Sequence, residues 1–321
     1  MFRMVMGFLL ALGMLLGASG QVKAAESTLK GVAFADYYYY ATGTKKKQNG
    51  FEFRRIYLTY DLKWDNEFSG RVRLEANDGG FGSGNKMEPF VKHAYVRYRK
   101  NGKALYMGLS GTPTWNISEE IWGYRSIRKT IMDLNKIASS ADMGLAFHGQ
   151  LDGEGKVNTQ IMLANGSGQA SEADNNKKIY ALLHFKPNAL NATAYMDWEK
   201  RAGSQDRMTF GGFLGLKKDG FQGGVEGFLQ TRNNPAGDVQ VRGVSVFGSG
   251  AVGEKTSAFG RVDLFDPSNQ AGNDRTLHFI GGLDFEPTKD VHVMPNVLVT
   301  SFQAAGVDAE VVPRMTLYVK F

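Results

Sequence analysis

Along most of the chain apolar residues recur at every second position, with polar residues filling the gaps. The last residues show it most plainly: Val311, Pro313, Met315, Leu317, Val319 and Phe321 alternate with Arg314, Thr316, Tyr318 and Lys320. Period-two alternation places the two sets on opposite faces of a β-strand. The same pattern runs through Met208, Phe210, Leu214 and Leu216 against Arg207, Thr209 and Lys217. It recurs in Leu277, Phe279, Leu283 and Phe285 against Thr276, His278 and Asp284. A tilted strand of about 9–11 such residues is long enough to cross a bilayer, with lipid on its apolar face and water on the other.

The alternation predicts sixteen strands, at 28–40, 51–63, 67–77, 88–99, 103–111, 141–151, 156–165, 178–186, 189–199, 207–217, 220–231, 239–248, 256–265, 276–286, 290–300 and 310–321. The short connections Asp65-Asn66, Asn101-Gly102, Pro187-Asn188 and Lys218-Asp219 fall on alternate turns. An even count with short turns on one side and longer loops on the other is the arrangement of a closed bacterial barrel. One strand is irregular. Val239 and Val241 are out of phase with Val244 and Val246, which leaves a bulge, or a count of fourteen or eighteen, open. The expected fold is therefore all-β, a sixteen-stranded antiparallel transmembrane barrel.

One connection stands apart. Residues 112–140 form the third loop on the long-loop side and carry Trp115, Ile117, Ile121, Trp122, Ile127, Ile131 and Leu134. Loops of this length are usually functional or disordered, and this one is too apolar for disorder. Ser118-Glu119-Glu120 reads as the start of a short helix reaching about Tyr124.

Alternation also fixes which charges face inward, because an arginine or lysine on the lipid face costs about 2–4 kcal/mol near the midplane. With Ile56, Leu58 and Tyr60 toward lipid, Arg55, Tyr57 and Thr59 face the lumen. The next two strands send in Arg71, Arg73 and Glu75, then His93, Tyr95, Arg97 and Arg99. Four of these arginines form a contiguous wall: Arg55, Arg71, Arg73 and Arg97. Asp61, Glu75, Asp142, Asp197, Glu199, Glu226, Asp263 and Asp284 are expected to face the lumen as well. The long loop is mixed. If Glu119 and Glu120 face the wall, a transverse field results; if Arg125 and Arg128 join it, the narrow point is cationic and suits anions.

Composition narrows the classes. The chain has 321 residues and no cysteine, which closes the disulfide and lipoprotein routes. Arg3, the apolar run Val5 to Leu16 and Val22-Lys23-Ala24 have the order of a secretory leader, so residues 1–24 are expected to be a cleaved signal peptide and 25–321 the barrel. The net charge of +6 falls to +4 without Arg3 and Lys23, too mild to point to nucleic acid. The five histidines sit on separate strands without the spacing of a triad or metal site, so no catalytic group, metal or cofactor is expected.

Several motifs carry a family likeness. Phe51-x-Phe53-Arg54-Arg55 opens the second strand, and Lys92-x-Ala94-Tyr95 lies on the fourth. Gly108 with Thr112-Pro113 leads into the long loop, followed by Glu120-x-Trp122-x-x-Arg125, and Ala141-Asp142-x-Gly144 resumes the barrel. Over about residues 50–150 the chain resembles the phosphate-selective porin O/P group and related sixteen-stranded porins. The resemblance implies an outer-membrane channel, trimeric, with some preference for anions, whose long third loop folds into the lumen and narrows it. An external lid or a trimer contact is the other reading of that loop. The loop holds no array of lysines of the kind a phosphate site uses, so the likeness is carried over for the channel, and its solute, general, phosphate or another anion, stays open. The terminal Phe321 resembles the assembly signal of outer-membrane barrels. The expected function is passive diffusion of small hydrophilic solutes or anions through an outer membrane, with a structural, adhesive or enzymatic barrel as the alternative.

Overall fold

The computed structural model describes residues 26–321, so the leader expected at 1–24 lies outside it. Sixteen antiparallel strands close into one barrel in sequence order, β1 pairing with β16. They are β1 (Glu26–Tyr39), β2 (Asn49–Lys63), β3 (Phe68–Ala76), β4 (Phe90–Lys100), β5 (Lys103–Gly111), β6 (Ala141–Gln150), β7 (Val157–Ala164) and β8 (Lys178–Phe185). The second half holds β9 (Leu190–Glu199), β10 (Arg207–Lys218), β11 (Phe221–Arg232), β12 (Val239–Gly253), β13 (Thr256–Asp266), β14 (Thr276–Thr288), β15 (Val291–Phe302) and β16 (Glu310–Lys320). The open counts of fourteen and eighteen are thereby excluded.

The outer surface is apolar: Leu58, Val72, Val96, Phe210, Leu214, Phe279 and Met315 are all exposed. Trp64, Phe185, Phe285 and Phe321 are exposed at the short-turn end, where aromatic girdles sit in such barrels. Asn101 and Gly102 both adopt positive φ, 49° and 73°, as a two-residue hairpin turn of mirror-image type requires. Phe321 closes the seam, donating to Gly31 O at 3.0 Å and accepting from Gly31 N at 2.6 Å. Its ring lies where a Cβ on Gly31 would be, so a side chain at that position would displace the ring.

The phase change in β12 is not a bulge. Its pairing is unbroken from Val239 to Ala251, and the only shift comes at the far turn, beside Gly253. Val244 and Val246 face out, while Val241 points inward and is 1% exposed. An apolar residue faces the interior there because the long third loop packs on it.

Outside β12 one register shift lies beside the β14–β15 turn, between Phe285 and Thr288, and two more place charged residues in the interior. Register shifts at Phe34/Ala35 leave Arg54 as an extra residue in β2, and at Arg73/Leu74 leave Lys92 as an extra residue in β4. A bulge places two successive residues on the same side of a strand. Arg54 joins Arg55 inside, and Lys92 joins His93.

Candidate functional site

Residues 112–140 contain α1 (Asn116–Trp122) and α2 (Ile131–Leu134). α1 begins two residues before the expected start. Ser118 is not its cap; the hydroxyl bonds to Trp115 O at 3.0 Å and to the Glu226 carboxylate at 3.0 Å. Gly123 ends the helix in the left-handed region (φ 72°), its N–H donating to Glu119 O. α2 went unpredicted, because four residues are too few to show a period.

One side of this segment is fixed to β10–β13 and their neighbours. Trp122 is 1% exposed and packs edge-on against Phe247 and Phe259, while Tyr124 stacks on Phe259 with centroids 4.3 Å apart. Ile131, Met132 and Ile137 bury against Met162, Tyr180, Leu182, Tyr195, Phe228 and Val241. Glycines recess the wall under the rings. A Cβ at Gly215 or Gly224 would stand 2.3 or 2.4 Å from the Phe213 ring, and one at Gly282 2.6 Å from Phe259. Polar ties fix the depth: Gln230 donates to Ile137 O at 2.8 Å and Arg261 to Lys129 O at 2.7 Å. Arg261 also grips Asp263 with two bonds of 2.6–2.7 Å and lies over the Trp122 ring.

Six of the eight acids expected to line the lumen are buried: Glu75 (3% exposed) against Arg55 and Lys92, Asp284 (9%) beside His292, and four more beneath or beside this segment. Of these four, Asp142, Asp197 and Asp263 are 0% exposed and Glu226 is 3% exposed. Tyr180 donates to Asp142, Lys178 and Thr209 engage Asp197, and Ser118 covers Glu226. The alternation placed them on the inner face correctly, but the loop segment and neighbouring side chains seal them from water.

The other side of the segment faces β1–β5 and carries its charges there. Arg125 pairs with Glu119 at 2.8 Å and with Asp133 at 3.3 Å. Glu120 points away and pairs with Lys217 of β10 at 3.2 Å. Opposite, Arg55 pairs with Glu75 at 3.0 Å, and Arg71 grips Asp61 at 2.6 and 3.1 Å. Arg73 donates to Thr59 at 2.8 Å, and Arg97 to Ser69 at 2.9 Å. His93 lies on β4 opposite Arg73. The bulge residues reach across: Arg54 donates to Ile127 O at 3.1 Å and to Ser126 O, and Lys92 to Ser140 at 2.6 Å.

Two of the clefts between the segment and this wall adjoin each other. The one toward the short turns, about 630 Å³, is lined by Lys30, Arg71, Arg73, Arg125 and Lys320 against Asp61 and Asp284. The one toward the long loops, about 320 Å³, is lined by Arg54, Arg55, Arg125, Arg128, Lys129 and Arg314 against Glu52 and Asp78. Phe34 and Arg125 line both, and so stand where they meet. Among the described residues the Arg128 side chain has no ion pair, and its Nε is buried without a partner. Burial, with Arg314 and Arg261 beside it, lowers Arg128 to about 10, so it stays charged at neutral pH.

Sequence reasoning missed Arg54, Lys92, Arg314 and Phe34 as members of this site. For the bulge residues a signal existed. Outward apolar positions switch phase from Phe51 and Phe53 to Ile56 and Leu58 across Arg54-Arg55, and from Val91 to Ala94 and Val96 across Lys92-His93.

No protein-family model matches the chain, and no curated protein matches it. Solved structures do. An anion-selective porin from Comamonas acidovorans superposes with a TM-score of 0.68 at 15% identity, over 92% of this chain and 100% of that one. The outer membrane channel DcaP of Acinetobacter baumannii gives 0.68 at 10% identity, over 92% and 97%. OmpT, an outer membrane protein of Vibrio cholerae in a trimer form, gives 0.61 at 10% identity, over 93% and 100%. At these identities the likeness is one of fold: the chain has the porin barrel.

Proposed function

We propose that the chain is an outer-membrane porin, a channel for passive diffusion of small hydrophilic solutes with a mild preference for anions, and not an enzyme. The observation that carries this reading is the cation excess in both clefts, with Arg125 standing at their junction. Guanidinium groups around a narrow passage attract anions over about a Debye length, 8–10 Å at ordinary salt, whatever the charge of the lumen as a whole. In this reading residues 112–140 fold into the lumen and form its constriction. Their contacts with inward-facing Phe247, Phe259, Gln230 and Arg261 support that placement. Arg55, Arg71, Arg73, His93, Arg97, Arg125 and Arg128 would line the path, with Glu119 tempering Arg125 and Glu120 lying aside.

Three further parts belong to the same proposal. Residues 1–24 act as the export signal, Phe321 promotes barrel assembly, and the working form is a homotrimer. The porin and channel neighbours, one of them in a trimer form, support the class. The test is a planar bilayer holding the purified barrel in a potassium chloride gradient. The expected reversal potential favours chloride and falls toward zero as salt rises. A cation-favouring potential would overturn the reading.

A further inference from the structure

The cationic wall is interleaved with aromatic rings, and small hydrated anions have no use for them. Tyr95 and Tyr106 lie 5.3 Å apart, Tyr106 and His148 4.6 Å apart, and His93 and Tyr95 6.2 Å apart. Across β3, Tyr57 has the Arg73 guanidinium 5.3 Å and the Arg55 guanidinium 5.7 Å from its ring centre. Phe34 meets Tyr57 edge-on at 6.1 Å. The strand register sets the two chemistries side by side, since Arg71 pairs with Tyr95, Arg73 with His93, and Arg97 with Tyr106. Gly108 pairs with Tyr95 and adds no side chain beside its ring.

These groups enclose a cleft of about 310 Å³ against the long segment. Its walls hold Tyr57, Tyr95, Tyr106, His93, His148 and, from the segment, Trp115. Arg71, Arg73, Lys92 and Arg125 supply its positive charge against Glu119 and Asp133. Rings offer a flat, polarisable face that stacks on another flat ring, while a guanidinium takes a carboxylate through two parallel hydrogen bonds. Both kinds of group within one cleft match a ligand that has both parts.

We infer that this cleft is a transit subsite for planar aromatic carboxylates, of the size of benzoate. The inference rests on the anion-channel reading above and deepens it to a substrate class. Stacking between rings is worth about 0.5–1.5 kcal/mol, so benzoate should be retained roughly two- to twelvefold better than an anion without a ring.

The test is chloride current through single channels of the whole barrel, with benzoate, cyclohexanecarboxylate, acetate or benzamide added at rising concentration. Benzoate should reduce the current at between about one-half and one-twelfth of the concentration that acetate needs, given that stacking increment. Cyclohexanecarboxylate, with the charge but no flat face, and benzamide, with the ring but no charge, should both be weaker. The Tyr95→Leu/Tyr106→Leu variant, checked for heat-dependent gel migration of a folded barrel, should bring benzoate down to the level of cyclohexanecarboxylate. Equal potency of benzoate and cyclohexanecarboxylate on the wild-type channel would overturn the subsite, as would equal potency of benzamide. If the channel favours chloride in a plain salt gradient yet fails these comparisons, only the subsite falls. If it favours potassium, the channel reading itself falls.

Discussion

The two halves of the barrel interior use the same alternating strands to opposite ends. Under the long segment, β10–β13 present Phe213, Phe228, Phe247 and Phe259, recessed into glycines, and acids closed off from water. On the facing wall, β1–β5 present Arg55, held by Glu75 and the Tyr57 hydroxyl, and Arg71, Arg73 and Arg97, each held by one acid or hydroxyl, all four open to a cleft. The acids of the first wall are shut away from solvent, while the arginines of the second line open clefts. Net charge, near balance over the whole chain, therefore says little about what an entering ion feels. Which charges stay wet decides it.

The contrast can be broken most forcefully by removing the segment. Replacing residues 116–134 with a short glycine linker should raise single-channel conductance about twofold or more, since the cross-section at the narrowest point limits flow. Unchanged conductance would show that the segment does not constrict the path. Trp122→Ala attacks its anchorage instead. Losing this buried ring should cost about 3–5 kcal/mol of packing. The expected result is a noisier current and faster proteolysis within 112–140, with the barrel itself intact on a gel.

Charge substitutions sharpen the comparison at smaller scale. Arg71→Ser with Arg73→Ser should move the reversal potential toward cations, most strongly in low salt. Glu119→Gln should move it toward anions, whereas Glu226→Gln should leave it where it was, because Glu226 is sealed under α1. Equal shifts from the two glutamates would erase the distinction between the walls.

The smallest effect expected is one of pH. Burial raises the Glu119 carboxyl above the ordinary glutamate range, against the pull of Arg125. Lowering the pH from neutral therefore neutralises Glu119 before ordinary surface glutamates and leaves Arg125 with Asp133 as its remaining acid partner. Anion preference should rise on mild acidification, and Glu119→Gln should show the raised preference at neutral pH with no further increment. A wild-type preference that weakens on mild acidification would place Glu119 outside the path.

Most of the architecture was legible because a membrane barrel repeats one rule. Lipid on one side of every strand forces the alternation that Met208 to Leu216 and Val311 to Phe321 display. Strand order, turn sides and the inward side of Arg55, Arg71, Arg73 and Arg97 followed from it; the end of β12 and the bulged Arg54 did not. What the rule cannot state is what covers an inward residue. Glu226 and Arg71 read alike in sequence, yet one lies under Ser118 and the other opens to a cleft. The inward valine of β12 looked like a defect in the pattern, because its partner, Ile131, lies more than a hundred residues earlier in the chain. The glycines beneath Phe213 and Phe259 could likewise not be assigned until the rings they accommodate were in place.

The bulges at Arg54 and Lys92 have a consequence for how such a channel can change. In an ordinary strand, loss of one residue turns every later side chain to the wrong face. Here, Phe53 faces out, Arg54 and Arg55 face in, and Ile56 faces out, so excising Arg54 restores strict alternation and misplaces nothing. The same holds for Lys92 between Val91 and His93. Each position is a detachable unit of charge, gained or lost by a three-base insertion or deletion rather than by substitution. A lineage could thus reset the polarity of the passage without touching any residue that meets lipid.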